Sequence, residues 1–242
     1  MTQEIISQLA PGGVLRAGIN MANILLVTGR TPDDDPVGVA PDMARAIAER
    51  LGVGVAYIKF ASPGEVADGV ATDAWDIALI AADPSRAESM EFTLAYVEVD
   101  ATYLVAVDAS YQSVADVDQP GVRIAVSERS AYDLYLTRVL KHAELRRAKG
   151  MKGAVELLAA EKLDALAGLR PALNVEAGKL PGARVLEDRY TSIQQAIGAK
   201  PGNETVAKFL ADFVAEAKTN GLIAGLIEKH GVAGKLQVAS GG

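Results

Sequence analysis

The chain has 242 residues, half of them hydrophobic, 23% charged and 5% aromatic, with a net charge of -7. That apolar fraction excludes a disordered chain, no apolar run reaches the roughly 18–20 residues that cross a bilayer, and the acidic balance opposes nucleic acid. Zero cysteines and only two histidines, His142 and His230, remove disulfides, thiolate chemistry and multi-histidine metal sites, and no metal or cofactor is expected.

The first residues lack a basic segment followed by an apolar one, so no secretory signal is visible. Glu4 to Leu9 reads as a short helix, and Pro11-Gly12-Gly13 as a turn into a strand over Val14 to Ile19. After a polar loop containing Asp33-Asp34-Asp35, apolar residues recur at helical spacing from Val39 to Leu51, with Gly52 as C-cap. Strands follow at Val53 to Ile58 and Asp76 to Ala82, separated by a helix from Pro63 to Val70. A second set of elements comprises strands at Tyr103 to Val107, Val122 to Val126, Asp164 to Gly168 and Arg184 to Leu186. Its helices run from the Ser130 region to Leu140 and over Gly153 to Leu163. Ser192 to Ile197 returns as a strand, Asn203 to His230 is helical with a break at Asn220-Gly221, and Ala239 to Gly242 reads as a frayed end. Alternating strands and helices indicate an α/β protein with mostly parallel sheets flanked by helices. Residues 1–105 with 196–242 form one expected lobe and 106–195 the other. The two connections make a two-strand hinge, with a ligand expected between the lobes.

The ordered segments resemble the periplasmic binding protein-like type II fold, and within it the family-3 solute-binding proteins that serve amino-acid ABC transporters. The resemblance rests on Gly38-Val39-Ala40-Pro41-Asp42-Met43 through Gly52; on Trp75-Asp76-Ile77, Asp83-Pro84-Ser85-Arg86 and Phe92-Thr93-Leu94-Ala95-Tyr96; on Lys162-Leu163-Asp164-Ala165-Leu166; and on Gln195-Ala196-Ile197-Gly198. It implies a monomeric binding protein that closes on a small carboxylate-bearing ligand, an amino acid or organic acid, and delivers it to an ABC permease. It also implies a periplasmic location; without a visible signal, the cytoplasm is the alternative. Arg86 matches the arginine that forks onto the ligand carboxylate, a task its planar guanidinium suits. A cyclohexadienyl or arogenate dehydratase on the same fold is the alternative activity, with Glu98, Glu128 and Asp83 as possible acids and no catalytic residue assigned.

The candidate ligand residues are Arg86, Asp83, Ser130, Arg129, Asn20, Asn23, Glu98 and Gln195. Each also has a structural reading. Arg86 can pair with Asp83 or Glu88, and Ser130 is equally a helix N-cap. Asn20 and Asn23 are equally turn formers. Gln194 and Gln195 point to opposite sides of their strand. Where the family carries an acid after its Asp-Ala strand, this chain has Leu169 and Arg170; Arg170 is a further possible anion partner, and Glu98 the substitute ammonium partner. Tyr96 and Tyr103 read as packing, and both histidines as surface or helix-end residues.

Overall fold

The computed structural model describes residues 2–241. The chain forms two compact units, one of residues up to Glu98 together with those from Gln194, the other Val99–Ile193. The sequence put these divisions at 105/106 and 195/196. No composition change marks them, because both fall inside single continuous strands.

In the first unit the chain runs α1 (Thr2–Leu9), β1 (Val14–Asn20), the small hairpin β2 (Gly29–Arg30) and β3 (Pro36–Val37), α2 (Val39–Leu51), β4 (Gly54–Phe60), α3 (Pro63–Asp68), β5 (Ile77–Ala81), α4 (Pro84–Ala87) and β6 (Glu91–Phe92). It crosses to the second unit within β7 (Val97–Ala106), which continues through β8 (Arg123–Ser127), α5 (Ala131–Val139), β9 (Glu144–Ala148), α6 (Gly150–Glu161), β10 (Ala165–Leu169), α7 (Arg170–Ala177) and β11 (Ala183–Val185). It returns within β12 (Thr191–Ala199), and α8 (Glu204–Thr219), α9 (Leu222–Lys229) and β13 (Gln237–Val238) complete the first unit.

Each unit is built on three parallel strands: β4-β1-β5 in the first and β10-β8-β9 in the second. The crossing strands add to them antiparallel, β12 on β5 and β7 on β10. The sheets are therefore mixed rather than purely parallel. β5 is buried at all five positions, as its unbroken Ile-Ala-Leu-Ile-Ala run requires of a strand covered on both faces.

The same local clamp sets both parallel triplets. Asp76 accepts the Arg16 N–H at 2.8 Å and donates its own N–H to the Arg16 carbonyl. Asp164 accepts the Arg123 N–H at 2.7 Å and donates back in the same way. The aspartates of two of the resemblance segments therefore hold adjacent strands together at their amino ends. Around β5 the core gathers Val66, Trp75, Ala78, Ile80 and Met90; in the second unit it gathers Leu104, Ala125, Leu166 and Leu173.

The chain end is not frayed where it is described. Ala239 is buried and donates its N–H to Tyr96, and Ser240 donates to Glu98; Gly242 lies outside the described residues. β9 and α7 escape the sequence reading because the charged run Glu144-Leu145-Arg146-Arg147 does not alternate, and Pro171 sits at a helix start.

Candidate functional site

In parallel α/β sheets, the loops at the carboxyl ends of the strands are where side chains converge on ligands. In the first unit Ile19 of β1 lies opposite Leu79 of β5. The turn Asn20–Asn23 and the turn Asp83–Arg86 therefore emerge side by side. The Asn20 and Asn23 side-chain carbonyls accept the N–H groups of Ala22 and Leu25, at 3.1 and 3.2 Å, and so build the loop after β1.

Asp83 is the N-cap of α4. Its Oδ1 accepts from the Ser85 N–H at 2.9 Å and the Ser85 hydroxyl at 2.7 Å. One helical turn on, Arg86 is only 4% exposed. Its Nη1 donates to the Ala81 carbonyl at 2.8 Å, which fixes the guanidinium against the end of β5. Gln195, also buried, is the register partner of Ala81 on β12. Asp83, Arg86 and Gln195 thus cluster at the carboxyl end of β5. Gln194 takes the other side, donating from Nε2 to Glu98 at 2.8 Å. Both Glu98 oxygens are engaged, the second by the Ser240 hydroxyl at 3.1 Å.

In the second unit the turn after β8 carries Arg129 and Ser130. Ser130 caps α5, its hydroxyl accepting the Asp133 N–H at 3.1 Å, while Asp133 accepts the Arg129 N–H at 2.7 Å and Arg147 Nε at 2.9 Å. Arg129 is exposed and held in the left-handed region at φ 57°. The buried Tyr132 hydroxyl bonds with Ser130 and Ser127; burial raises its pKa, and those two bonds only partly offset the rise. Tyr190 packs between Tyr103 (centroids 4.7 Å) and Tyr135 (6.0 Å), and the Tyr135 hydroxyl donates to the Tyr190 carbonyl. Of this group the sequence singles out only Tyr103, as packing. The spacing of Tyr132 and Tyr135 on α5 was an available signal, but nothing local places Tyr190 beside them.

Arg170 is not available as an anion partner. Its guanidinium donates to the carbonyls of Leu186, Glu187 and Asp188 at 2.8–3.0 Å, fastening that stretch to the start of α7. Asp34, within the triple-Asp loop, pairs with Arg30 and Lys59, and no group of acids and histidines suited to a metal occurs among the described residues.

His230 is not a surface residue. Its ring is buried and its Nε2 lies 2.7 Å from Asp42, which also holds Lys229 at 2.7 Å and Arg45 at 2.8 Å. This cluster joins the start of α2 to the end of α9. Burial pushes the Asp42 carboxyl up, but the hydrogen bonds from Lys229 and His230 and the charge of Arg45 outweigh it and hold the pKa below its ordinary value. A lowered folded-state pKa gives stability that is complete above the ordinary carboxylate range and lost as pH falls through it. Asp42→Asn is expected to cost about 2 kcal/mol near neutrality, the scale of hydrogen bonds to a charged group. Urea unfolding should show the gap from the parent protein closing below about pH 4.

The family model for bacterial extracellular solute-binding proteins, family 3, matches residues 19–233. The chain belongs to this family. Solved structures share its two-lobed periplasmic binding protein-like fold. One is an amino-acid ABC transporter substrate-binding protein from Streptococcus pneumoniae bound to L-arginine, with 23% identity, a TM-score of 0.74, and coverage of 98% of this chain and 99% of that one. The ancestral amino-acid-binding protein AncCDT-1, a precursor of cyclohexadienyl dehydratase, is 21% identical with a TM-score of 0.74, covering 94% and 97%. A binding component of an ABC transporter from Wolinella succinogenes, complexed with lysine, is 22% identical with a TM-score of 0.74, covering 90% and 95%. No curated protein sequence matches the chain. Among the described residues of this solute-binding protein, no helix is long and apolar enough to cross a membrane.

Proposed function

We propose that this family-3 solute-binding protein binds a small carboxylate-bearing solute, an amino acid or organic acid, and presents it to an ABC permease outside the cytoplasm. The observation that carries the reading is Arg86: a guanidinium 4% exposed, placed by the N-capped α4 at the carboxyl end of β5. Its parallel donors match a carboxylate in both geometry and charge. Gln195 and the Asn20–Asn23 loop stand at the same end of the first unit. In the second unit the α5 N-terminus, with Ser130 and Arg129, offers a second anion-seeking group. The solved relatives bound to L-arginine and lysine support a charged small-molecule ligand. Glu98 accepts one uncharged donor at each oxygen, from Gln194 and Ser240, so its negative charge stays available to a ligand ammonium group.

Thermal-shift measurements across the standard amino acids and a set of mono- and dicarboxylates test this. A ligand present at a hundredfold excess over its Kd stabilises the folded state by about 2.7 kcal/mol, a rise of roughly 5–10 °C for a chain of this size. A flat response across the whole set would overturn the reading, and turnover of prephenate or arogenate would replace it with a dehydratase.

A further inference from the structure

Outside the candidate site, the charge distribution has one pronounced anomaly. Residues 138–152 contain six Lys and Arg (Arg138, Lys141, Arg146, Arg147, Lys149, Lys152) against the single acid Glu144, a net of +5 in a chain that carries -7 overall. The fold gathers this segment on one edge of the second unit: the end of α5, the turn into β9, the outermost strand β9 itself and the first turn of α6. The turn is rigidly presented. Asp118 accepts the backbone N–H groups of Lys141, His142 and Ala143 at 2.8–3.2 Å, which fixes the main chain while the Lys141 and His142 side chains stay exposed.

Arg138, at the end of α5, is exposed and not without a partner; the other five cations divide by type. The two arginines on the strand are directed onto the protein, Arg146 to Glu161 at 2.8 Å and Arg147 to Asp133 at 2.9 Å. Lysines face outward. Lys141 and Lys149 are exposed and make no ion pair among the described residues, and Lys152 is 91% exposed with only a loose 3.7 Å contact to Glu156. Lys141 and Lys149 lie beyond the two ends of the five-residue strand β9. Charge on an edge strand commonly guards it against pairing with another chain, but Arg146 and Arg147 already serve that purpose, and the lysines lie beyond the strand's ends. Lys149 and Lys152 also stand at the start of α6, whose first turn holds no acid, so their charges oppose the helix dipole unless an anion offsets them.

From this patch we infer that the β9 edge of the second unit docks on an anionic lipid surface through headgroup phosphates. Outward lysine ammoniums are strongly hydrated point charges that suit a diffuse layer of phosphates, whereas a shaped acidic protein face favours the forked donors of arginine, and the two arginines on β9 are already engaged by Glu161 and Asp133. Val139, 42% exposed beside them, adds apolar surface at the same edge.

Co-sedimentation of the whole chain with phosphatidylcholine vesicles containing about 30% phosphatidylglycerol, at low salt, tests the inference. Binding should appear on these vesicles, be absent from pure phosphatidylcholine, and weaken as salt is added. Each lysine is expected to contribute about fivefold, so the triple variant K141E/K149E/K152E should bind about a hundredfold more weakly with an unchanged unfolding temperature. The control K179E/K208E/K235E changes net charge equally at exposed positions outside residues 138–152 and should lose much less. Equal losses in both variants would reduce the effect to net charge and overturn the assignment. So would absence of vesicle binding, or retention on poly-L-glutamate without vesicle binding, which would point to an acidic protein partner.

Discussion

Replacing Arg86 with alanine should lower affinity for the carboxylate ligand by at least about thirtyfold. Truncating one partner of a buried charge pair costs about 2–5 kcal/mol, because the remaining charge must stay desolvated and unmatched. Arg86 also donates to the Ala81 carbonyl within the fold, so the alanine variant carries a stability cost of its own. Arg86→Lys separates the two effects. It keeps the positive charge near the end of β5 but loses the paired, planar donors, and it is expected to fold while binding about tenfold more weakly. Isothermal titration with the solute found by thermal shift, alongside urea unfolding of each variant, supplies both readouts. Unaltered affinity in a folded Arg86→Lys and Arg86→Ala pair would remove Arg86 from the site and with it the main support for a carboxylate ligand.

The second large effect is expected at Gly38. This glycine opens α2 at φ 155°, ψ -176°, a region that essentially only glycine occupies. A Cβ added there would sit 2.1 Å from the Leu26 carbonyl oxygen and 2.8 Å from the Val27 Cα. Both contacts are backbone, so no side chain can rotate away, and the Ala40 N–H to Leu26 bond that ties the loop to α2 would have to break. Gly38→Ala should therefore cost more than about 3 kcal/mol, read as a lower urea midpoint with an unchanged slope. Gly52→Ala provides the contrast. It too has positive φ, 70°, but a Cβ there meets nothing within 4 Å, and the expected loss is about 1 kcal/mol. Similar losses at the two positions would show that the loop yields readily and that close backbone approach is not what requires Gly38.

The Gly38 and Arg86 variants test different layers of the same protein. One asks whether the loop between β1 and α2 is locked to the helix that follows it. The other asks what the ends of β1 and β5 present once that loop is in place. The Asp42 cluster adds a third layer: it ties α2 to α9 across nearly the whole length of the sequence, so acid should loosen the first unit at a place far from Arg86 in the chain. Ligand affinity and acid stability are thus expected to respond to separate substitutions.

How far the sequence could be read follows from the range of the interactions concerned. Helix α2, its Gly52 cap, the apolar β5 and the break at Asn220-Gly221 were legible because periodicity, capping and turn preference act within a few residues. The family could be read from the order of several such local segments. So could the dual nature of Ser130, Asn20 and Asn23, whose capping and turn bonds span two or three residues. The tertiary structure decided whatever depends on partners far apart in the chain. Arg170 spends its donors on carbonyls 16–18 residues away, His230 is buried against Asp42, Glu98 is held by Gln194 and Ser240, and Arg86 comes beside Gln195 through the pairing of β5 with β12. The physical reason is that a side chain's chemical type is local, whereas the desolvation and the opposing charge that determine its use are supplied by residues the fold brings in from elsewhere.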